Sequence, residues 1–272
     1  MEFNQPLVLI RGGGDLASGV ALRLHRVGFA VLITEIEKPM TVRRAVAFSQ
    51  AVYTGEAQVE DVTGRLVEET AEVQTALQEQ IIPIVIDPQA DIRSKLKPIA
   101  IIDARMRKKP PDLALNAEYL LIGLGPGFSA GLDCYAVVET NRGHMMGRVI
   151  WDGSAEADTG VPESVRGYDV DRVLRAPTDG ELQGGLKIGT RVQKGDQLAN
   201  VGNAPVLAPF DGVLRGIVHD GLRVRTGMKI GDLDPRGVQE YCFSVSDKAL
   251  AVGGGVLEAL LSFEDIRKAL AG

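Results

Sequence analysis

Leu7-Val8-Leu9-Ile10-Arg11-Gly12-Gly13-Gly14-Asp15-Leu16-Ala17 is the stretch on which the reading of the first half turns. Its four consecutive apolar residues, Leu7 to Ile10, have the pattern of a parallel strand buried on both faces. They empty into three glycines, after which Leu16, Val20, Leu22, Leu24 and Val27 fall mostly on one side of a helix. Gly28 suits the end of that helix, and Ala30-Val31-Leu32-Ile33 reads as a second strand.

Gly12, Gly14 and Ala17 match Gly-x-Gly-x-x-Ala, a variant of the dinucleotide fingerprint. The first glycine permits a sharp turn, the second lets the backbone approach a pyrophosphate, and the small third residue lets helix pack on strand. Gly13 and Asp15 complete the candidate cofactor-binding turn, where free amides at a helix start favour an anion. Glu35 closes the second strand 23 residues past Gly12, where a ribose-binding acid is expected. Arg43 and Arg44 follow at the start of a predicted helix, Thr41–Tyr53, either to meet a phosphate or to form a solvated face. The plainer alternative for the whole turn is a glycine corner that packs strand on helix and binds nothing.

Further strands are predicted at Ile82–Ile86, Ile99–Asp103 and Tyr119–Leu124, with a helix near Val67–Gln80. A second glycine turn, Gly123-Leu124-Gly125-Pro126-Gly127, again follows an apolar strand. Gly125 and Gly127 are therefore candidates to line the same crevice, beyond the carboxyl ends of the strands. Just before it, Arg105, Arg107, Lys108 and Lys109 make a local basic cluster, either for an anionic ligand or as a solvated loop. After a predicted strand at Ala136–Thr140, His144 lies in a polar turn between Arg142 and Arg148. Of the three histidines it is the candidate for acid–base work, although no partner carboxylate is evident. Cys134 is read as an inert thiol, with a persulfide- or selenium-handling role as the sharper alternative.

The C-terminal part carries a repeat at an offset of 32 residues. Ala176-Pro177-Thr178-Asp179-Gly180-Glu181-Leu182 recurs as Ala208-Pro209-Phe210-Asp211-Gly212-Val213-Leu214, and ten of the twenty positions from Ala176 to Gly195 are identical. That frequency marks a duplication. Its short strands and Asp-Gly turns are similar to the barrel-sandwich hybrid of biotinyl and lipoyl domains. The hairpin from Ala199 to Val206 lacks the attachment lysine of those carriers, which leaves docking or structure as its role. Leu257, Leu260, Leu261, Ile266 and Leu270 then predict a helical tail.

The expected fold is thus α/β: a Rossmann-like, mostly parallel sheet domain over 1–131, then a β-rich domain over 132–272. The second domain would contain the all-β barrel-sandwich hybrid module at about 171–234 and the tail. With 45% hydrophobic and 24% charged residues and a net charge of −6, the chain has no basic field for nucleic acid or anionic lipid. There is no apolar run of about 18 residues and no leader pattern at the start, and Cys134 and Cys242 have no metal-ligand spacing. A cytoplasmic protein without a metal site is expected.

The order of Arg11–Gly19, Thr34-Glu35, Asp103–Met106, Gly123–Gly131, Val138–His144 and the Ala-Pro repeat resembles one family. It is that of accessory proteins of selenium-dependent molybdenum hydroxylases, sometimes described as molybdenum-cofactor biosynthesis proteins. The resemblance implies a maturation role, a molybdenum hydroxylase client, and a nucleotide-containing ligand such as NAD(P) or a molybdopterin nucleotide. An NAD(P)-dependent oxidoreductase and a non-catalytic interaction protein are the competing readings, and a homo-oligomer is a further expectation.

Overall fold

The computed structural model describes residues 5–106, 111–115, 118–157 and 170–271. The chain divides into two compact units. The first gathers the described residues of Met1–Glu37, Phe48–Asp158 and Val245–Gly272; the second those of Lys38–Ala47 and Thr159–Ser244.

Strand β1 (Leu7–Arg11) is buried along its whole length, as its unbroken apolar run demands. It is followed by α1 (Asp15–Arg26) and β2 (Ala30–Glu35). Next come the short helix α2 (Ala51–Thr54), the hairpin β3 (Glu56–Val59) and β4 (Val62–Leu66), and α3 (Thr70–Gln78). Then follow β5 (Ile82–Ile86), the one-turn α4 (Arg93–Leu96), β6 (Ala100–Asp103) and β7 (Leu120–Leu124). After the two-residue β8 (Ser129–Ala130) come β9 (Ala136–Val138), β10 (Val149–Ile150) and β11 (Gly153–Ser154).

These strands build a nine-stranded sheet in the order β10-β9-β7-β6-β1-β2-β5-β4-β3. The middle pairs are parallel, whereas β3 with β4 and β9 with β10 are antiparallel. Successive residues of a strand point to opposite faces. Val8, Ile10, Val31 and Ile33 accordingly join the core under α1 and the tail, while Leu7, Leu9 and Leu32 join Val73 and Leu96 on the other side.

In the second unit, β12 (Val173–Arg175), β13 (Gly180–Gln183), β14 (Arg191–Val192) and β15 (Gln197–Val201) precede β16 (Ala204–Leu207). They are followed by β17 (Gly212–Ile217), β18 (Arg223–Val224) and β19 (Lys229–Asp234). Two four-stranded antiparallel sheets result, β12-β19-β17-β14 and β16-β15-β13-β18. Shifting each strand by the 32-residue repeat maps the first order onto the second, strand for strand. The turn bonds repeat as well: Gly195 N donates to Ala208 O, and Gly227 N to Ala176 O, both at 2.8 Å.

The tail forms α5 (Asp247–Leu261) and α6 (Glu264–Ala271), and α5 lies along α1 in the first unit.

Two expectations are corrected. The fold is a large mixed sheet with several small antiparallel sheets, not a Rossmann-like parallel domain followed by a barrel-sandwich module. The alternation of strand and helix is interrupted by the β3–β4 hairpin and stops after β6. Among the described residues no helix joins β6 to β7 or β7 to β9, and one face is covered by α5 from the far end of the chain.

The helix predicted over Thr41–Tyr53 is instead two 3-10 turns, Arg44–Val46 and Phe48–Gln50, leading into the four-residue α2. Its amides have other partners. Phe48 N donates to Ser18 Oγ at 2.8 Å, and Ser49 N to Gly13 O at 2.9 Å, which competes with a continuous helical ladder.

Candidate functional site

The glycine turn leaves β1 at its carboxyl end, where the sheet has Asp103 of β6 on one side and Thr34 of β2 on the other. Gly12 sits at φ +90, a conformation that side-chain-bearing residues rarely adopt, and its N–H donates to Thr34 O at 2.8 Å. Gly13 N donates to Glu35 Oε2 at 2.7 Å, and Gly13 O accepts the Ser18 hydroxyl at 3.2 Å. Gly14 is the N-cap of α1 and supplies no side-chain cap. Asp15 occupies the first turn, and Ala17 is wholly buried, as a small third position of the fingerprint requires.

Glu35 is the acceptor on which this turn converges. Its Oε1 takes the Ile36 amide at 2.8 Å while Oε2 holds Gly13. Burial pushes its pKa up, and the two amides and the Arg105 charge pull the other way without cancelling it. The Tyr53 hydroxyl is pushed up by burial and by the nearby Glu35 charge.

Arg105 lies directly over the turn: a Cβ on Gly12 would stand 3.2 Å from its Cγ. Arg105 is bound to Asp103 and to Asp112, and Arg11 joins both carboxylates from β1. The expected glycine turn, Glu35 and Arg105 are therefore brought together. Arg107, Lys108 and Lys109 lie outside the described residues.

The other candidates stand elsewhere. Arg43 belongs to the second unit, where it is buried and donates to Tyr241 O and Ser244 O, both at 3.1 Å. Its guanidinium holds backbone carbonyls there. Gly125 closes on the first unit's own residues, because a Cβ would run into Thr140 Oγ1 and stand 3.1 Å from Met106 Cε. Gly127, at φ +102, precedes Phe128, whose ring folds over Gly123. The second turn is shaped by this packing.

His144 is exposed, and no carboxylate is hydrogen-bonded to it among the described residues. The adjacent Arg142 forms two bonds with Asp247 of α5, at 2.7 and 2.6 Å. Burial pushes the Cys134 thiol up to about 11, which leaves almost no thiolate at neutral pH. Among the described residues no group of three His, Cys, Asp or Glu side chains is arranged to hold a metal ion, and no helix is long and apolar enough to cross a membrane.

Sequence reasoning missed Arg11, Ser49, Tyr53 and Asp112. Arg11 carried a signal, since a charged residue ends an otherwise apolar buried strand. Asp112, in a proline-rich loop, carried none.

No family model matches the chain. Among solved structures it is similar to a succinylglutamate desuccinylase from Silicibacter sp. TM1040, with 13% identity over 84% of each chain and a TM-score of 0.24. A succinylglutamate desuccinylase/aspartoacylase from Rhodobacter sphaeroides gives 15% identity, coverage of 84% and 85%, and a TM-score of 0.25. An aspartoacylase family protein from Mesorhizobium loti gives 10% identity, coverage of 84% and 85%, and a TM-score of 0.27. Likenesses that weak carry no argument about what this chain does.

In sequence it is similar to the uncharacterized protein YqeB of Escherichia coli strain K12, 48% identical over 255 residues. The match takes in 94% of the chain but 47% of YqeB, so the chain spans about half the length of the curated relative it matches. The curated relative is not described as a molybdenum-hydroxylase accessory factor. The resemblance drawn from motif order, and the maturation role it implied, are corrected accordingly. The motifs that carried it are glycine turns and a β duplication, and the second of those turns is accounted for by local packing.

Proposed function

We propose that the chain is a small-molecule-binding protein whose ligand presents an anionic, phosphate-like group to the turn between β1 and α1. The observation that carries this reading is the Gly13 amide holding the Glu35 carboxylate, beside the Arg105 side chain. The turn thus already has an anion on its main-chain donor, and the helix that follows begins without a side-chain cap. By contrast α5 is capped by Ser246 and α3 by a Glu69–Glu72 capping box. Helix starts and backbone amides together favour a phosphate.

In this reading a ligand phosphate takes the start of α1, and Glu35, with its raised pKa, is the group that yields or protonates as the charge arrives. Titration calorimetry with ADP, NAD and inorganic phosphate tests it. Saturable binding to wild type that is lost in Gly14→Val, with the fold retained by circular dichroism, is the expected result. No heat with any of the three probes, or equal binding by the variant, refutes it.

A further inference from the structure

At the carboxyl ends of β1 and β6 two guanidinium groups grip one carboxylate. Arg11 donates through Nη1 to Asp112 Oδ1 at 2.6 Å and through Nη2 to Asp112 Oδ2 at 3.4 Å. Arg105 donates through Nη2 to Oδ1 at 2.7 Å and through Nη1 to Oδ2 at 3.0 Å. Each oxygen therefore faces one nitrogen from each arginine. Such paired forks match a planar, two-oxygen anion.

The clamp is built from beneath. Asp103, almost fully buried, accepts Arg105 Nε at 2.9 Å and approaches Arg11 Nη1 at 3.4 Å, while Pro88 O takes Arg11 Nη2 at 3.1 Å. The Arg11 side chain is 1% exposed, and its Nε is buried with no hydrogen-bond partner among the described residues. Burying a guanidinium this way costs free energy unless an anion meets it, so the pair requires a carboxylate opposite. Asp112 is the more exposed partner, at 31%, and comes from a loop rather than from the sheet. Arg11 at the end of β1 and Arg105, two residues past β6 and braced by Asp103, face a loop-held acid and form a preformed receptor with an exchangeable occupant.

We infer that Arg11 and Arg105 form a recognition subsite for the carboxylate of a small-molecule ligand, and that Asp112 occupies it when the ligand is absent. The inference rests on the reading above in placing a ligand in this crevice, and it adds that the ligand carries a carboxylate as well as a phosphate. The two arginines hold Asp112 well below the usual carboxylate range, as they would a bound ligand acid. An internal occupant lowers the apparent affinity for an external one, so its removal raises that affinity.

Acetate is the probe, with sulfate at equal ionic strength as the tetrahedral control. In Asp112→Ala, acetate is expected to raise Tm and to bind about tenfold more tightly than in wild type, while sulfate does neither. Adding Arg105→Gln to that variant should abolish the acetate effect. Asp112→Asn, which keeps the side-chain shape without the charge, serves the same comparison where the alanine variant does not fold. In wild type, the Nε–Hε NMR signals of Arg11 and Arg105 are followed through an acetate titration to high concentration.

A folded variant with no acetate response beyond that of sulfate overturns the inference. So do arginine signals in wild type that never move. The phosphate reading is judged separately on Gly14→Val, so acetate binding without ADP binding would leave the subsite standing alone.

Discussion

Gly19 of α1 lies against Ala249 of α5 so closely that a Cβ at position 19 would stand 2.7 Å from the Ala249 Cβ and 2.8 Å from its carbonyl oxygen. The neighbours at this contact are largely backbone, which cannot move aside as a flexible side chain can. It fixes the helix that carries the glycine turn to the last long helix of the chain. Gly19→Val should therefore destabilise the first unit by about 1–3 kcal/mol through overpacking. Urea unfolding checks this, and a valine variant as stable as wild type would show that the helices separate freely. A loss of ADP binding in a variant that remains folded would further show that the tail helps to place the turn.

Glu35 gives a pH signature of known sign. Its folded pKa is raised above the ordinary value of 4.5 by burial, so the native state holds that proton more tightly than the unfolded chain. Its contribution to stability is complete below 4.5 and is lost as pH rises through the raised value. In Glu35→Gln that loss is absent, so the variant should gain on wild type between about pH 4 and about pH 7. Chemical denaturation at both pH values measures the difference. A gap between variant and wild type that is the same at both would remove Glu35 as a titrating group.

The duplicated turns offer an internal control. Asp179 Oδ1 accepts both the amide and the hydroxyl of Thr226 at 2.8 Å, whereas Asp211 Oδ1, its counterpart 32 residues on, accepts the Lys194 amide at 2.8 Å. The residue facing each aspartate differs between the halves, threonine in one and lysine in the other. Asp179→Ala should accordingly lower Tm more than Asp211→Ala does, since it removes two acceptor contacts instead of one. The Thr226 bonds hold the Asp179 pKa down, so its share of stability is present at neutral pH and fades as acid protonates it. Equal Tm shifts at neutral pH, or a larger shift for Asp211→Ala, would count against this account.

What the sequence disclosed and what it hid follow physical lines. The predicted strand Ile82–Ile86 is the observed β5, and Leu7–Ile10 needs only Arg11 to become β1, because buried parallel strands write themselves as apolar runs. The duplication was legible because it conserves Ala-Pro-x-Asp-Gly turn chemistry, and the two sheets reproduce it strand for strand. The helix expected over Thr41–Tyr53 was not to be had from periodicity. Its amides are taken by Ser18 and Gly13, partners some 30 positions away. The coverage of one sheet face by α5 was hidden for the same reason, since nothing local in Asp247–Leu261 says which strand it will meet. In the candidate site, Gly12–Gly14 and Glu35 were visible through spacing and Arg105 through its basic cluster, but Asp112 acquires its part only when the end of β1 and the segment after β6 set two arginines side by side.

Arg215 of β17 shows a charge that the second unit holds poorly. Its side chain is 12% exposed, and Nε has no hydrogen bond among the described residues. Its ion-pair approaches to Asp232 and Asp234 are long, at 3.9 and 3.8 Å. Both carboxylates are better served by others: Asp232 by Arg172 at 3.1 Å, and Asp234 by Arg236 at 2.6 Å. Burial, and the like charge of Arg43, push the Arg215 pKa down. The duplicate of this position is Gln183 in an exposed place, so the fold does not demand an arginine there. Poorly paired buried charges can be replaced by apolar groups of similar volume at little cost, whereas stripping a carboxylate from such a cluster costs about 3 kcal/mol or more. Arg215→Met should therefore be neutral or stabilising, while Asp234→Ala, which leaves Arg215 and Arg236 without their shared acid, should be strongly destabilising. Urea unfolding of both variants decides the matter. A methionine variant that loses as much stability as the alanine variant would mean that Arg215 forms a pair stronger than its distances allow.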